Sequence, residues 1–220
     1  MDTGTLVSLL GEGLLQTLYM TVLGTLMSYV IGLPIGVSLI VTGPNGIRPV
    51  AIYNKVMGFI VNVIRSVPFL ILMIALMPYI RKVIGTGIGT SATTAALVVA
   101  AAPFVARLVE QSLLEVDPGV IEAAQAMGAG SFQIIRKVLL LEARPSLLNG
   151  AAVATINILG YSAMAGIVGG GGLGDLAIRY GLYRFQPSIM WITIVVLVVL
   201  VQMLQEAGIR IAAKMDNRIN

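Results

Sequence analysis

Residues 117–149, DPGVIEAAQAMGAGSFQIIRKVLLLEARPSLLN, are the only long charged and amphipathic segment between otherwise uncharged apolar runs. Their local chemistry predicts two short helices. Asp117 before Pro118 is a helix start: a carboxylate at the N-cap accepts orphan backbone donors, and proline at the first helical position loses nothing by lacking its own. Gly119 to Met127 then reads as a helix with Val120, Ala123, Ala124 and Met127 on one face and Glu122 and Gln125 elsewhere. Gly128 stands where a helix ends in a left-handed residue, and Ser131 is placed to cap a second helix from Phe132 towards Ala143. Two small alanines beside a glutamate leave a face that a larger protein's groove can cover closely.

The rest of the chain is built differently. It is 57% hydrophobic and 11% charged, with mean hydropathy +0.95, whereas a soluble domain is about a quarter charged. The composition indicates a membrane protein, and 220 residues make one membrane domain, 1–220. Cysteine and histidine are absent, which removes disulfides, thiolate nucleophiles, imidazole bases and the common zinc ligands. A net charge of +4 from scattered basic residues gives nucleic-acid binding no support. The first thirteen residues carry Asp2 and Glu12 but no Lys or Arg, so the first apolar run reads as a retained span rather than a cleaved leader.

Charge-free intervals place the spans, since about 20 apolar residues cross the hydrocarbon layer. They fall at 17–41, 58–77, 92–106, 147–168 and 188–205, with a charged loop at 117–146. The predicted fold is an all-α polytopic membrane protein with five transmembrane helices. In the first span Gly32 and Gly36 form a small-xxx-small pair that lets another helix approach, and Pro34 adds a kink point. Arg65 lies near the start of the second, where it either snorkels or faces a bundle interior. Beyond the third, Arg107, Gln111 and Glu115 fall four apart, which predicts a solvated helical stalk.

The fourth span holds Asn149, Thr155, Asn157, Tyr161 and Ser162, more polar groups than a lipid-facing helix carries, so they face protein or a water-lined path. Met164 sits among small residues, as core filling or as an obstruction in a narrow passage. The run Gly169 to Gly174 matches G-x-G-x-x-G but lacks the strand of a dinucleotide site, and reads as a broken or re-entrant helix end. Trp191 suits an interface.

With five spans and the amino terminus outside, the inner face collects Arg48, Lys55, Arg65, Arg107, Arg136, Lys137, Arg144, Arg210, Lys214 and Arg218. The outer face keeps Arg81, Lys82, Arg179 and Arg184. Ten against four follows the positive-inside tendency and places the carboxy terminus and the 117–146 loop in the cytoplasm.

No G-x-x-x-x-G-K-[ST] occurs, so phosphates cannot be cradled in the P-loop manner. The spans contain no carboxylate, which weakens an ion-coupled pump. No metal or cofactor site is expected, and an intramembrane enzyme is improbable.

Glu122-Ala123-Ala124, followed by Gly128 and the apolar-basic run Ile134 to Glu142, resembles the EAA loop of ABC-importer permeases. Leu141 occupies the place of that motif's usual proline, which predicts a less sharply bent exit. Nearly the whole chain is similar to the MetI-type methionine-importer permeases. The matching stretches include Gly32 to Gly36, Arg65 to Phe69, Ala102 to Arg107, Arg136 to Leu140, Gly160 to Met164 and Gly171 to Gly174.

The resemblance implies a type I importer permease in the bacterial inner membrane: a homodimer embedded in lipid, with two cytoplasmic ATP-binding subunits and an external methionine-binding lipoprotein. It implies that Glu122, Ala123, Ala124, Met127, Gly128 and Arg136 couple to the ATPase. Read from the residues themselves, Arg65, Asn157, Tyr161, Ser162 and Met164 are the candidates for the translocation path or gate. ATP hydrolysis would belong to the partner, and transport would proceed by alternating access. The rival readings are the same architecture carrying another amino acid, an osmoprotectant or a sulfonate, and a facilitator without an ATPase.

Overall fold

The computed structural model describes residues 2–215, which are helical apart from short connections. Helix α1, Thr3–Thr42, runs uninterrupted through Pro34 and so extends well before the span expected at 17–41. Helix α4, Thr90–Leu114, is the best-buried element and lies along it. Close approach explains the pairing. A β-carbon on Gly32 would stand 2.7 Å from the Ala102 carbonyl, and one on Gly36 would stand 2.6 Å from the Ala106 carbonyl. The surface of α4 that faces them includes the small, buried Ala102 and Ala106, while Ala92 and Ala96 turn towards α3. In lipid the hydrophobic effect does not drive helices together, so backbone proximity and dispersion carry the association.

The interval expected as one span at 58–77 is instead two helices, α2, Ala51–Ser66, and α3, Phe69–Ile84, bent by 105° at the break. Pro68 is the physical cause: it disfavours helical geometry at Val67 and supplies no amide proton to continue the ladder. Four other stretches are long and apolar enough to cross a membrane, and the bent pair passes only jointly.

After α4, the loop carries α5, Pro118–Ala126, and then a nearly continuous helical path. That path comprises α6, Ser131–Ile134, a π turn over Ile135–Leu139, and α7, Leu140–Glu142. Only Ala143 separates α7 from α8, Arg144–Met164. A 3₁₀ turn over Ala165–Val168 and a glycine elbow follow, and the chain doubles back so that Gly174 lies against the Ala163 carbonyl. There it forms α9, Gly172–Leu176, and a π turn over Ala177–Leu182. Helix α10, Pro187–Met215, packs on α8 and contains the interval expected at 188–205.

The contacts sort the charges between two ends. At one, Gln16, Thr90 and Gly171 meet. At the other, Asn54, Glu110, Glu122 and Leu139 gather around the Gly43–Gly46 turn. Arg136, Lys137 and Arg144 share the second end, while Arg179 lines a crevice at the first. Arg218 lies outside the described residues.

The core at the second end joins Val105, Val109, Leu113, Val116, Leu139, Ala143 and Ala154. The outward faces stay apolar, with Leu15, Val30, Ile71 and Val195 among many exposed aliphatics, as lipid contact requires.

Candidate functional site

The 117–146 loop is held by local chemistry. Asp117 Oδ1 accepts the Gly119 amide proton at 2.7 Å, and Pro118 opens α5. The helix ends in a Schellman arrangement: the Ala129 amide donates to the Ala124 carbonyl and the Gly128 amide to the Gln125 carbonyl. Gly128 takes φ +80°, where a β-carbon is strained. The next helix is not capped by Ser131. Gln133 reaches back instead, its Oε1 accepting the Gly130 amide proton at 3.1 Å.

The expected apolar face of α5 divides in two. Ala124 is 5% exposed and turns inward with Ile121, whereas Val120, Ala123 and Met127 lie outward, Met127 at 82% exposure. Glu122, Gly128 and Arg136 are also exposed, and Phe132 adds a large apolar side chain nearby. Apolar groups standing out from a charged loop form a surface that a protein groove can cover. Behind α5, a cavity of about 620 Å³ separates Pro118, Ile121 and Glu122 from the Gly43–Gly46 turn.

Arg107 corrects the expectation of a solvated stalk. Its guanidinium pairs with Glu110 and donates to the Gly58 carbonyl at 3.2 Å and to Asn62 Oδ1 at 2.9 Å, tying α2 to α4. Gln111 and Glu115 are exposed as predicted, but Arg107 and Glu110 are mostly covered. Glu110 thus places a carboxylate in a span-length helix, neutralised one turn from its partner.

Of the polar residues on α8, Asn157, Tyr161 and Met164 follow one stripe, four and three residues apart. Tyr161 stacks on Phe69, with centroids 4.3 Å apart and planes 10° from parallel. Both line a cavity of about 230 Å³ at the α2–α3 break, with Arg65, Ala100 and Phe104. Met164 is half exposed, and Asn157 donates to the Val153 carbonyl. Ser162 leaves the stripe: it is 1% exposed and donates to the Leu159 carbonyl. The structure therefore brings Arg65 and Tyr161 together, and does not join Asn157, Ser162 or Met164 to them.

Sequence reasoning missed Phe69, Phe104, Gln16 and Thr17. Gln16 Oε1 accepts the Gly172 amide proton at 2.7 Å. Thr17 Oγ1 accepts that of Leu173, so α1 supplies the caps that the α9 glycines cannot. Nothing in the spacing of an isolated Gln-Thr pair within an apolar run announces that role. Among the described residues no cluster of potential metal ligands occurs.

A family model described as the binding-protein-dependent transport system inner membrane component matches residues 29–205. A Vibrio cholerae protein named probable D-methionine transport system permease protein MetI is 49% identical over 203 residues, covering 92% of this chain and 90% of its own. The Escherichia coli K12 protein named D-methionine transport system permease protein MetI is 49% identical over 158 residues, covering 72% and 73%. A chain from inward-facing structures of the MetNI methionine ABC transporter matches with TM-score 0.96 and 45% identity, covering 99% and 100%.

Proposed function

The chain belongs to the binding-protein-dependent transport system inner membrane component family, and we propose that it is the permease subunit of an ATP-driven methionine importer. In this reading two copies form the path across the inner membrane. Each presents its α5 to one of two cytoplasmic ATP-binding subunits, and an external lipoprotein delivers methionine. The observation that carries the reading is α5 itself, with Val120, Ala123 and Met127 directed outward on a fold superposable on a methionine transporter chain.

The mechanism follows from rigid connections. Closure of the two ATPases draws both copies of α5 together, with Glu122, Ala123, Met127, Gly128 and Arg136 at the contact and Ala124 anchoring the helix behind it. Movement passes to α4 through the buried Val109, Leu113 and Leu139, and from α4 to α2 through Arg107. The bend at Pro68 converts it into movement at Arg65 and Tyr161, opening the path outward; hydrolysis by the partner resets it. Asn157 and Met164 border the path on the α8 stripe, while buried Ser162 supports it from behind. The amino terminus is outside and the carboxy terminus cytoplasmic. This orientation is supported by Arg136, Lys137 and Arg144 sharing the α5 end.

Uptake of labelled L- and D-methionine by cells with and without the chain, with ATP depleted in parallel, tests the reading. ATP-dependent uptake that requires the chain and is competed by methionine alone is expected. Unchanged methionine uptake overturns the substrate, and competition by another amino acid, an osmoprotectant or a sulfonate identifies the replacement.

A further inference from the structure

We infer that the cavity at the α2–α3 break is a substrate site within the membrane, where Arg65 takes the carboxylate of an amino acid and Phe69, Phe104 and Tyr161 take its apolar side chain. The inference rests on the importer reading and adds to it the chemical group that each residue recognises.

Arg65 carries the argument. Among the described residues it makes no hydrogen bond or ion pair, whereas Arg107, the nearest arginine along the same helix pair, is fully engaged by Glu110, Asn62 and Gly58. The cavity that Arg65 lines contains no Asp or Glu. Arg65 is exposed along the cavity it lines, with no counter-charge beside it, and its planar fork matches a carboxylate bidentately. The missing anion is therefore one that arrives with a ligand.

Depth and size point the same way. Ala100 and Phe104 form the wall near the middle of α4, Thr90–Leu114, so the cavity lies well inside the span. Transporters commonly bind substrate near the midplane where a helix is discontinuous, because only there does irregular backbone face a cavity. At about 230 Å³ the space is below the roughly 300–1,000 Å³ usual for larger ligands, which suits a single amino acid.

The walls select the side chain. The Phe69–Tyr161 stack and Phe104 present ring surfaces to a thioether or aliphatic chain, and sulfur makes favourable contacts with aromatic edges. A charged or amide side chain would be left without a partner. The ligand's ammonium has no carboxylate to meet here, so recognition depends on the carboxylate and the apolar tail.

The test uses the complete transporter, this chain with its ATP-binding subunits, in lipid nanodiscs with a diazirine analogue of methionine as the probe. After illumination, labelled peptides are mapped by mass spectrometry. Expected labelling falls at residues 64–72, 100–104 and 161, is suppressed by excess methionine, and persists with methioninol, which lacks the carboxylate. Arg65→Gln reduces labelling at least tenfold and Arg65→Lys retains a measurable part, with assembly checked by gel filtration. Labelling elsewhere, no labelling, equal competition by methioninol, or an unaffected Arg65→Gln each overturns the site. The methioninol comparison needs no variant and so does not depend on folding of a mutant. ATP-driven methionine uptake by the wild-type complex in proteoliposomes supplied with the methionine-binding lipoprotein is measured beside it. Uptake without cavity labelling removes only this site, whereas no uptake removes the importer reading.

Discussion

Thr17 and Leu173 stand 156 residues apart and are joined by one buried hydrogen bond, the threonine hydroxyl accepting the leucine amide proton at 2.9 Å. The same hydroxyl donates to the Gly13 carbonyl, so its one proton is committed. Through this contact, and that of Gln16 with Gly172, α1 fixes the place where the chain doubles back after the glycine elbow.

Thr17→Val keeps the shape and removes the acceptor, leaving the Leu173 amide buried and unpaired. The expected cost is about 1–3 kcal/mol. Hydrogen exchange over residues 169–176 should accelerate roughly five- to hundredfold, while Thr17→Ser should stay near wild type; equal exchange in Val and wild type would show the bond to be idle.

Gly36→Ala places a β-carbon against the Ala106 carbonyl and Val109, and should destabilise by about 1–3 kcal/mol through overpacking. Gly11 lies in the same helix with nothing within 4 Å of an added β-carbon. Gly11→Ala should therefore stabilise by up to about 1 kcal/mol from helix propensity alone. Thermal denaturation in detergent that ranks both substitutions together would contradict the packing account.

Arg107→Leu strands Glu110 in a mostly covered position, and Glu110→Leu strands Arg107. Each should lower stability by roughly 1–3 kcal/mol, and the double replacement by less than their sum, since a paired charge exchanged for apolar surface is often neutral. A double-mutant cycle on melting temperature checks this. Additive losses would mean that Arg107 acts only through Gly58 and Asn62.

Gly128→Val forces a β-branched residue to φ +80°, a strain of about 1–2 kcal/mol or more concentrated at the end of α5. Membrane insertion should remain intact while co-purification with the ATP-binding subunit and coupled transport fall. Full coupled transport in this variant would count against a docking role for the loop.

The membrane class, the all-helical architecture and the two-helix loop were legible because their signals are local. Lipid demands long uncharged runs, Asp117-Pro118 starts a helix whatever surrounds it, and Gly128 ends one. The Gly32–Gly36 stripe was equally readable as a place of close approach, although its partner was not.

What stayed hidden depended on neighbours distant in sequence. Arg107, Gln111 and Glu115 share one periodicity, yet only Arg107 meets α2 and loses its solvent. Ser131 has the right chemistry for a cap, but the helix starts at Ser131 itself with Gly130 at its N-cap, and Gln133 reaches back to the Gly130 amide. Arg65 could not be placed either, because which cavity an arginine lines is set by the helices packed around it; the structure leaves it exposed beside Tyr161.

By itself, then, the sequence determined where helices form and which stretches avoid water, since those follow from hydrogen bonding and transfer energy within a few turns. Only the tertiary structure decided that 58–77 bends by 105°, that Tyr161 stacks on Phe69 beside Arg65, and that Gln16 and Thr17 hold the α9 glycines. These depend on which surfaces meet, and helix packing in lipid is set by close contact between side chains far apart in the chain.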